Sequence, residues 1–182
     1  REEERETTAA LVRGVAARAA QLGYAPGGFD AYAVSDVLPG SGLSSSAACE
    51  VLLGVILSHL FCRDELDPVT VAQMGQYAEN VYFGKPSGLM DQMASSVGGA
   101  VAIDFADPAA PKVRPIRVDL AAEGYALCIV DSGADHADLT AEYAAIPREM
   151  GAGAAFFGKE VLREVEGAQV MARLPDPRRA VG

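Results

Sequence analysis

A glycine- and serine-rich segment gives the chain the composition of an anion-binding loop. It runs from Leu38 to Ala48 with the sequence Leu-Pro-Gly-Ser-Gly-Leu-Ser-Ser-Ser-Ala-Ala. Glycines let backbone amides approach a phosphate closely, and a helix that starts after them adds partial positive charge. Serine hydroxyls add donors, and a hydroxyl oxygen is also a ligand for Mg²⁺. The pattern predicts a phosphate site, with an ordinary strand-to-helix turn capped by serine as the alternative.

Two well-known nucleotide loops can be compared with this segment. A Walker loop ends in Gly-Lys-Ser/Thr, and no lysine occurs between Gly40 and Phe61. A dinucleotide fingerprint requires a third glycine at the position of Ser45. The sequence therefore excludes the Walker loop and matches the dinucleotide fingerprint only in part, so a nicotinamide-binding oxidoreductase stays a weak alternative.

Two acidic residues further along the chain could hold a metal ion or accept a proton. Glu79 lies near the end of a predicted helix, and Asp91 lies in the first turn of the next one, where the helix dipole favours a charged carboxylate. The turn Gly84-Lys85-Pro86 is short enough to bring the two acids together. An ionised carboxylate is a potential general base. Acidic residues also line solvated helix faces, which is the alternative for both.

Local signals predict the elements that must position these residues. Gly23 ends the first helix, Asp67-Pro68 combines an N-cap with a first-turn proline, and Ser87 is a candidate N-cap. The apolar helix 44–61 is expected to lie between layers. The predicted elements are helix 9–22, strand 29–37, helices 44–61, 67–83 and 87–97, strands 100–105, 113–120 and 125–130, and helices 138–150 and 152–167.

Composition and charge exclude several classes of protein. The 182 residues are 50% hydrophobic, enough for a packed core, and their formal net charge of -10 opposes binding to nucleic acid. Three cysteines without paired spacing and two histidines argue against a disulfide framework or a zinc site. We expect no signal peptide, and the apolar stretch 47–61 is too short for a bilayer. A cytoplasmic protein with small-molecule partners, and neither nucleic acid nor membrane, is expected.

Specific motifs resemble those of the GHMP kinases, named for galactokinase, homoserine kinase, mevalonate kinase and phosphomevalonate kinase. The loop 39–48 is similar to the family's second motif, and its triple serine favours the galactokinase group. The stretch 78–92 resembles the galactokinase segment that ends in Gly-Ile-Met-Asp-Gln. Residues 130–143 resemble the segment Asn-Ser-x-x-x-His followed by Glu-Tyr, from which Asp131 and Asp135 depart. These departures leave the choice of sugar open.

The resemblance implies roles for the residues that match. Asp91 would contact the sugar hydroxyl that is phosphorylated and act as general base. Gly88 and Tyr143 would also contact the sugar, and His136 would be a structural hydrogen-bonding residue. An arginine is expected to help stabilise the negative charge on the transferring group. Mg²⁺ would be held by Ser46 and Glu79, and the ATP phosphates by Gly40, Ser41, Gly42, Leu43, Ser44, Ser45, Ser46 and Ala47.

The resemblance also implies a fold and an activity. The expected class is α+β, a GHMP kinase fold with a ribosomal protein S5 domain 2-like N-terminal domain (1–106) lacking its first strands. The beginning of a ferredoxin-like C-terminal domain (107–182) would follow, after the proline-containing segment 107–111. The implied activity is the phosphorylation of galactose to galactose 1-phosphate with ATP and Mg²⁺.

The match to the family is incomplete. The Gly-Glu-His-x-Asp-Tyr motif, the catalytic arginine and the third glycine-rich motif of galactokinases are not found. We therefore expect a central fragment that is inactive alone, of undetermined oligomeric state. The alternatives are another GHMP kinase, of N-acetylgalactosamine, arabinose or mevalonate type, and a galactokinase-like sugar sensor without turnover.

Overall fold

The computed structural model describes residues 2–37, 42–107, 109–130 and 140–173. They form two compact units, Arg1–Thr140 and Ala141–Gly182. The first unit holds α1 (Thr8–Gln21), α2 (Ser45–Phe61), α3 (Pro68–Tyr77), a π-helical segment (Ala78–Phe83), α4 (Met90–Val97), β1 (Ala100–Asp104) and β2 (Lys112–Ile116). The second unit is built from α5 (Thr140–Phe156) and α6 (Gly167–Arg173), and short 3-10 turns occur at Glu2–Glu4 and Leu162–Glu164. The mixture of helices with a small sheet agrees with the expected α+β class.

The first helix forms where its sequence predicts it. The Thr7 hydroxyl accepts a 3.3 Å hydrogen bond from the Ala10 amide as N-cap, and Gly23 adopts a left-handed φ of 95° after the helix ends. A Cβ at Gly14 would lie 2.6 Å from the Cα of Ala78, so α1 and the π-helical segment approach at their backbones. The buried core of this unit consists of Leu11, Val15, Ala19, Leu57, Cys62, Met74 and Ala78.

The predicted helix over 67–83 is present but changes geometry along its length. Asp67 accepts a 2.7 Å hydrogen bond from the amide of Thr70, and Pro68 occupies the first helical position. After Tyr77 the helix widens into the π-helical segment, which ends at Gly84 with a φ of 93°. Such segments frequently occur at functional sites, and this one carries Glu79.

Helix α2 matches its predicted bounds but not its predicted surroundings. It packs against α1, α3 and α4, with Gly54 facing Val71 of α3. Leu52, Val55 and Leu60 are exposed on another face. Among the described residues α2 is therefore covered on one side only, and the expectation that it lies between layers is not met.

The two strands of the first unit form an antiparallel hairpin. Its register pairs Ala100 with Ile116 and Asp104 with Lys112. The prediction of a strand over 100–105 is confirmed, and the one over 113–120 holds only as far as Ile116. Residues 105–111 connect the paired strands, and the domain boundary expected at 106/107 stays a prediction.

Three local predictions are wrong. Residues 29–37 and 125–130 form no strand, and Tyr32 and Leu127 are 93% and 83% exposed. A strand needs a partner for its backbone groups, and none of the described residues supplies one. Ser87 does not cap α4, because its amide and hydroxyl donate to Asn80 Oδ1, and the residue before α4 is Leu89.

The second unit contains one long helix where two were predicted. Helix α5 continues through Pro147 to Phe156. A turn then follows, with Gly158 at a φ of 68°, and the next α-helix starts only at Gly167. The prediction of a separate helix over 152–167 is therefore wrong, and residues 138–139 lie outside the described part.

Candidate active site

The glycine loop leads directly into the N-terminus of α2. Gly42 and Ser44 adopt left-handed φ values of 73° and 57°, and α2 begins at Ser45, whereas Gly40 and Ser41 lie outside the described residues. The side chain of Ser44 makes no capping hydrogen bond to the first turn of α2. The Ser44 side chain therefore does not hydrogen-bond to the amide groups of that turn. Amide groups at a helix N-terminus that no side chain caps can donate hydrogen bonds to an anion.

The side chain of Ser44 points instead at the next predicted site residue. Its Oγ donates a 2.8 Å hydrogen bond to Oδ2 of Asp91, which is an exposed residue in the first turn of α4. The predicted phosphate loop and the predicted general base are therefore neighbours. A phosphate that uses the Ser44 hydroxyl would have to compete with Asp91 for it.

The two predicted metal ligands also meet. Ser46 Oγ donates a 3.3 Å hydrogen bond to Oε1 of Glu79, joining α2 to the π-helical segment. Glu79 is only 3% exposed. The ammonium of Lys85 lies 3.4 Å from the same oxygen and comes from the turn that follows Gly84. One oxygen of Glu79 thus has a hydroxyl and a cation beside it.

Two buried residues that the sequence analysis missed complete this arrangement. Gln92 Nε2 donates hydrogen bonds of 2.9 Å to Glu79 Oε2 and 3.0 Å to Glu50 Oε2. Glu50 and Gln92 are 0% and 1% exposed. A signal for Glu50 was its place four residues after Ser46, on the same face of α2 within an otherwise apolar stretch. We call Glu50, Glu79 and Gln92 the buried carboxylate cluster.

Burial raises the pKa of Glu50 to about 8, and the negative charges of Glu79 and, more weakly, Asp91 act in the same direction. The Gln92 hydrogen bond and the charge of Lys85 lower this pKa only in part. Glu50 is therefore mostly a neutral acid at pH 7. Glu50 Oε1 and Gln92 Oε1 have no hydrogen-bond partner among the described residues, and a proton on Glu50 supplies a donor to this cluster.

The donors of Ser46 and Glu79 suit a hard divalent cation. Mg²⁺ binds oxygen, and in phosphate-transferring sites one or two carboxylates share it with substrate phosphates. No group of three or more His, Cys, Asp or Glu residues in the described ranges is placed to hold a metal by itself. A hydroxyl and one carboxylate oxygen next to a helix N-terminus fit a metal that arrives with phosphates.

The other described residues that the sequence predicts for the site take no part in these hydrogen bonds. Gly88 is exposed and lies between Ser87 and α4, and Leu43 is 46% exposed. Ala47 is buried at 1% exposure. Tyr143 is part of α5, but its side chain and His136 are outside the described part. The predicted contact of Tyr143 with a sugar stays a prediction.

No helix of the described residues is long and apolar enough to cross a membrane. The free thiols of the first unit, Cys49, Cys62 and Cys128, form no disulfide. Neither finding adds a residue to the site, whose described residues come from the loop, α2, the π-helical segment, the turn that follows it and α4.

Comparison with known proteins places this site in a family context. The model of the GHMP kinases N terminal domain matches residues 10–99, a range that contains Ser44, Ser46, Glu79 and Asp91. Curated relatives include a galactokinase of Streptomyces coelicolor, 39% identical over 154 residues, which are 85% of this chain and 40% of the relative. A galactokinase of Mycobacterium tuberculosis is 36% identical over 187 aligned positions, 94% of this chain and 50% of the relative. A galactokinase of Actinobacillus pleuropneumoniae is 36% identical over 80% of this chain and 37% of its own length. The chain thus spans half or less of the length of these relatives.

Proposed function

We propose that this chain, which belongs to the GHMP kinase family, is the nucleotide- and metal-binding part of an ATP-dependent kinase that phosphorylates galactose to galactose 1-phosphate. The observation that carries the proposal is the pair of contacts at the start of α2. Ser44 reaches Asp91, and two residues later Ser46 reaches Glu79. A candidate base and a candidate metal site thus flank the same anion-binding helix N-terminus. The relatives named galactokinase support the choice of sugar.

The proposed phosphate site is the segment from Gly40 to Ala47. Its amides and hydroxyls would hold the ATP phosphates, with the N-terminus of α2 contributing positive potential. Ser46 and Glu79 would hold Mg²⁺, which when bound supplies charge neutralisation on the transferring phosphoryl group. Lys85, whose ammonium lies beside Glu79 Oε1, would add a positive charge next to the proposed metal site.

Asp91 is the proposed general base. It is exposed and would be open to a sugar, and the Ser44 hydrogen bond leaves its Oδ1 for the substrate hydroxyl. The proton of that hydroxyl would pass to Asp91 as the oxygen attacks the terminal phosphoryl group and the bond from that phosphorus to the ADP oxygen breaks. Gly88, two residues before α4, and Tyr143 are the other proposed sugar contacts.

The finer features of the fold and setting belong to the same proposal. They are a ribosomal protein S5 domain 2-like N-terminal domain over 1–106, the start of a ferredoxin-like domain over 107–182, and a cytoplasmic location. ATP, galactose and Mg²⁺ are the proposed ligands, with no nucleic acid or membrane partner. The match of the family model to residues 10–99 supports the first of these.

The test uses the full-length protein and measures ATP consumption with galactose, N-acetylgalactosamine, arabinose and mevalonate. We expect the highest kcat/KM with galactose and a loss of about 10³-fold or more in Asp91→Asn. Asp119→Asn, which changes an exposed acid in the turn after β2, is the matched control and should keep parental activity. Binding of galactose and ATP without turnover in the parent would favour the sugar sensor, and a preference for another substrate would favour another GHMP kinase.

A further inference from the structure

We propose that Gln92 is a positioning residue for Glu79, and that buried Glu50 holds Gln92 in the required orientation. The proposal rests on the metal-ligand role proposed above for Glu79. Neither Gln92 nor Glu50 would touch the metal or the phosphates. Both would act through the carboxylate of Glu79.

The two oxygens of Glu79 have separate surroundings. Oε2 accepts the 2.9 Å hydrogen bond from Gln92, whereas Oε1 faces Ser46 Oγ at 3.3 Å and Lys85 Nζ at 3.4 Å. With Oε2 held from the buried side, Oε1 is the oxygen presented to a cation beside Ser46. Without Gln92 the carboxylate could turn about its terminal torsion, which has no sharp preference of its own.

Glu50 explains why Gln92 keeps this orientation. The Gln92 amide nitrogen carries two hydrogens, and each is used by one glutamate. The opposite rotamer of the amide would point its oxygen at both carboxyl groups. Gly75 of α3 closes the cluster from another side, since a Cβ there would lie 3.0 Å from Glu50 Cβ and 3.2 Å from Gln92 Cγ. The amide is therefore enclosed by α2, α3 and the π-helical segment.

A role limited to stability does not account for the buried carboxylate cluster. Burying two carboxyl groups together is costly, and apolar side chains of similar volume commonly stabilise such places as well or better. Glu50 Oε1 and Gln92 Oε1 also lack partners among the described residues, which is unfavourable in a core. The cluster has instead the form of the outer hydrogen bonds that orient ligands at metal sites.

The test measures Mn²⁺ binding to the full-length protein by electron paramagnetic resonance, with a non-hydrolysable ATP analogue present. Gln92→Leu, similar in volume but without an amide, should weaken Mn²⁺ binding by about tenfold to a hundredfold. Glu50→Gln should remain within about twofold of the parent, because it keeps an oxygen that accepts the hydrogen bond from Gln92 Nε2. In Gln92→Asn the shorter side chain cannot reach both glutamates, so this variant should also bind Mn²⁺ more weakly. If Gln92→Leu does not fold, Mn²⁺ binding to Gln92→Asn tests the positioning role.

Two further variants separate the possible explanations. Met74→Ala removes a fully buried core side chain of α3 and should lower Tm at least as much as Gln92→Leu without changing Mn²⁺ affinity. Equal losses of affinity in Met74→Ala and Gln92→Leu would show a structural effect only and overturn the inference. Unchanged affinity in Gln92→Leu and Gln92→Asn, combined with a loss in Glu79→Gln, would also overturn it. Unchanged affinity in Glu79→Gln itself would instead contradict the proposed metal site.

Discussion

The hydroxyl of Ser44 donates a 2.8 Å hydrogen bond to Oδ2 of Asp91, across 47 residues of sequence. This contact joins the end of the glycine loop to the first turn of α4. Ser44 makes it from a left-handed backbone conformation, with φ at 57°, which is uncommon for a residue other than glycine. The loop geometry and the orientation of the proposed base are therefore linked through one side chain.

Substitution of Ser44 should separate these two contributions. Ser44→Ala and Ser44→Gly both remove the hydrogen bond. Each should lower kcat of the full-length protein for the proposed reaction by about tenfold, the expected effect of losing a hydrogen bond to a charged group. Ser44→Gly should be more stable than Ser44→Ala by about 1 kcal/mol, because glycine adopts the left-handed conformation without steric cost. Turnover assays and thermal unfolding check both effects. Ser95→Ala, an exposed serine of α4, is the control, and equal Tm values for the two Ser44 variants would refute the strain argument.

The raised pKa of Glu50 predicts a pH dependence of stability. Its pKa rises from the ordinary 4.5 to about 8 in the folded protein, so between these values the folded state holds a proton that the unfolded state has released. The free energy of unfolding should therefore fall as pH rises from about 4.5 to 8, with a slope approaching 1.4 kcal/mol per unit at about 25 °C. The stabilising contribution of the proton is complete below 4.5 and lost above 8.

Glu50→Gln should remove this slope, since glutamine has no proton to release. Urea unfolding of metal-free full-length protein and variant across this range measures the difference between them. Titrating groups that do not interact with Glu50 contribute equally to both proteins, so the comparison isolates Glu50 and the charges that act on it. Parallel stability curves for the two proteins would show that Glu50 does not titrate in this range.

Lys85 places a positive charge 3.4 Å from the Glu79 oxygen that faces Ser46. Lys85→Met should strengthen Mn²⁺ binding to the nucleotide-free protein by about fivefold or more, since a charge pair at about 4 Å is worth about 1 kcal/mol even in bulk water and more beside a buried carboxylate such as Glu79. Its effect on stability should be below about 1 kcal/mol, because the lysine is 38% exposed. Lys159→Met, an exposed lysine of the second unit, provides the control. Weaker Mn²⁺ binding in Lys85→Met would mean that the lysine supports the metal site instead of competing with the metal.

The close approach of α1 to the π-helical segment depends on Gly14. A Cβ at this position would lie 2.6 Å from both Cα and Cβ of Ala78, next to Glu79. Gly14→Ala should lower the stability of the protein by roughly 1–3 kcal/mol, the usual cost of overpacking, despite the better helix propensity of alanine. Gly151→Ala in α5, where a new Cβ meets nothing within 4 Å, should be neutral or stabilising. A stabilising Gly14→Ala in thermal unfolding would contradict the observed helix contact.

Several features followed from local chemistry and could be predicted without a structure. Helix α1 is ended by Gly23, and α3 is started by Asp67-Pro68, because capping depends on residues that are neighbours in sequence. Ser46, Glu79 and Asp91 were identified by their motifs, and the structure brings each of them to one end of α2. Their roles in catalysis stay predictions.

Tertiary structure alone decided which side chains surround Glu79. Gln92 joins Glu50 and Glu79 over separations of 42 and 13 residues, and such contacts depend on how helices pack and leave no local pattern. The same reason explains why the strands predicted at 29–37 and 125–130 do not form. A strand is defined by its hydrogen-bonded partner and not by its own residues. Ser87 has the residue type of an N-cap, but its amide and hydroxyl bind Asn80. Residue type thus determined which groups could do chemistry, whereas the packing of α2, the π-helical segment and α4 determined which of them meet.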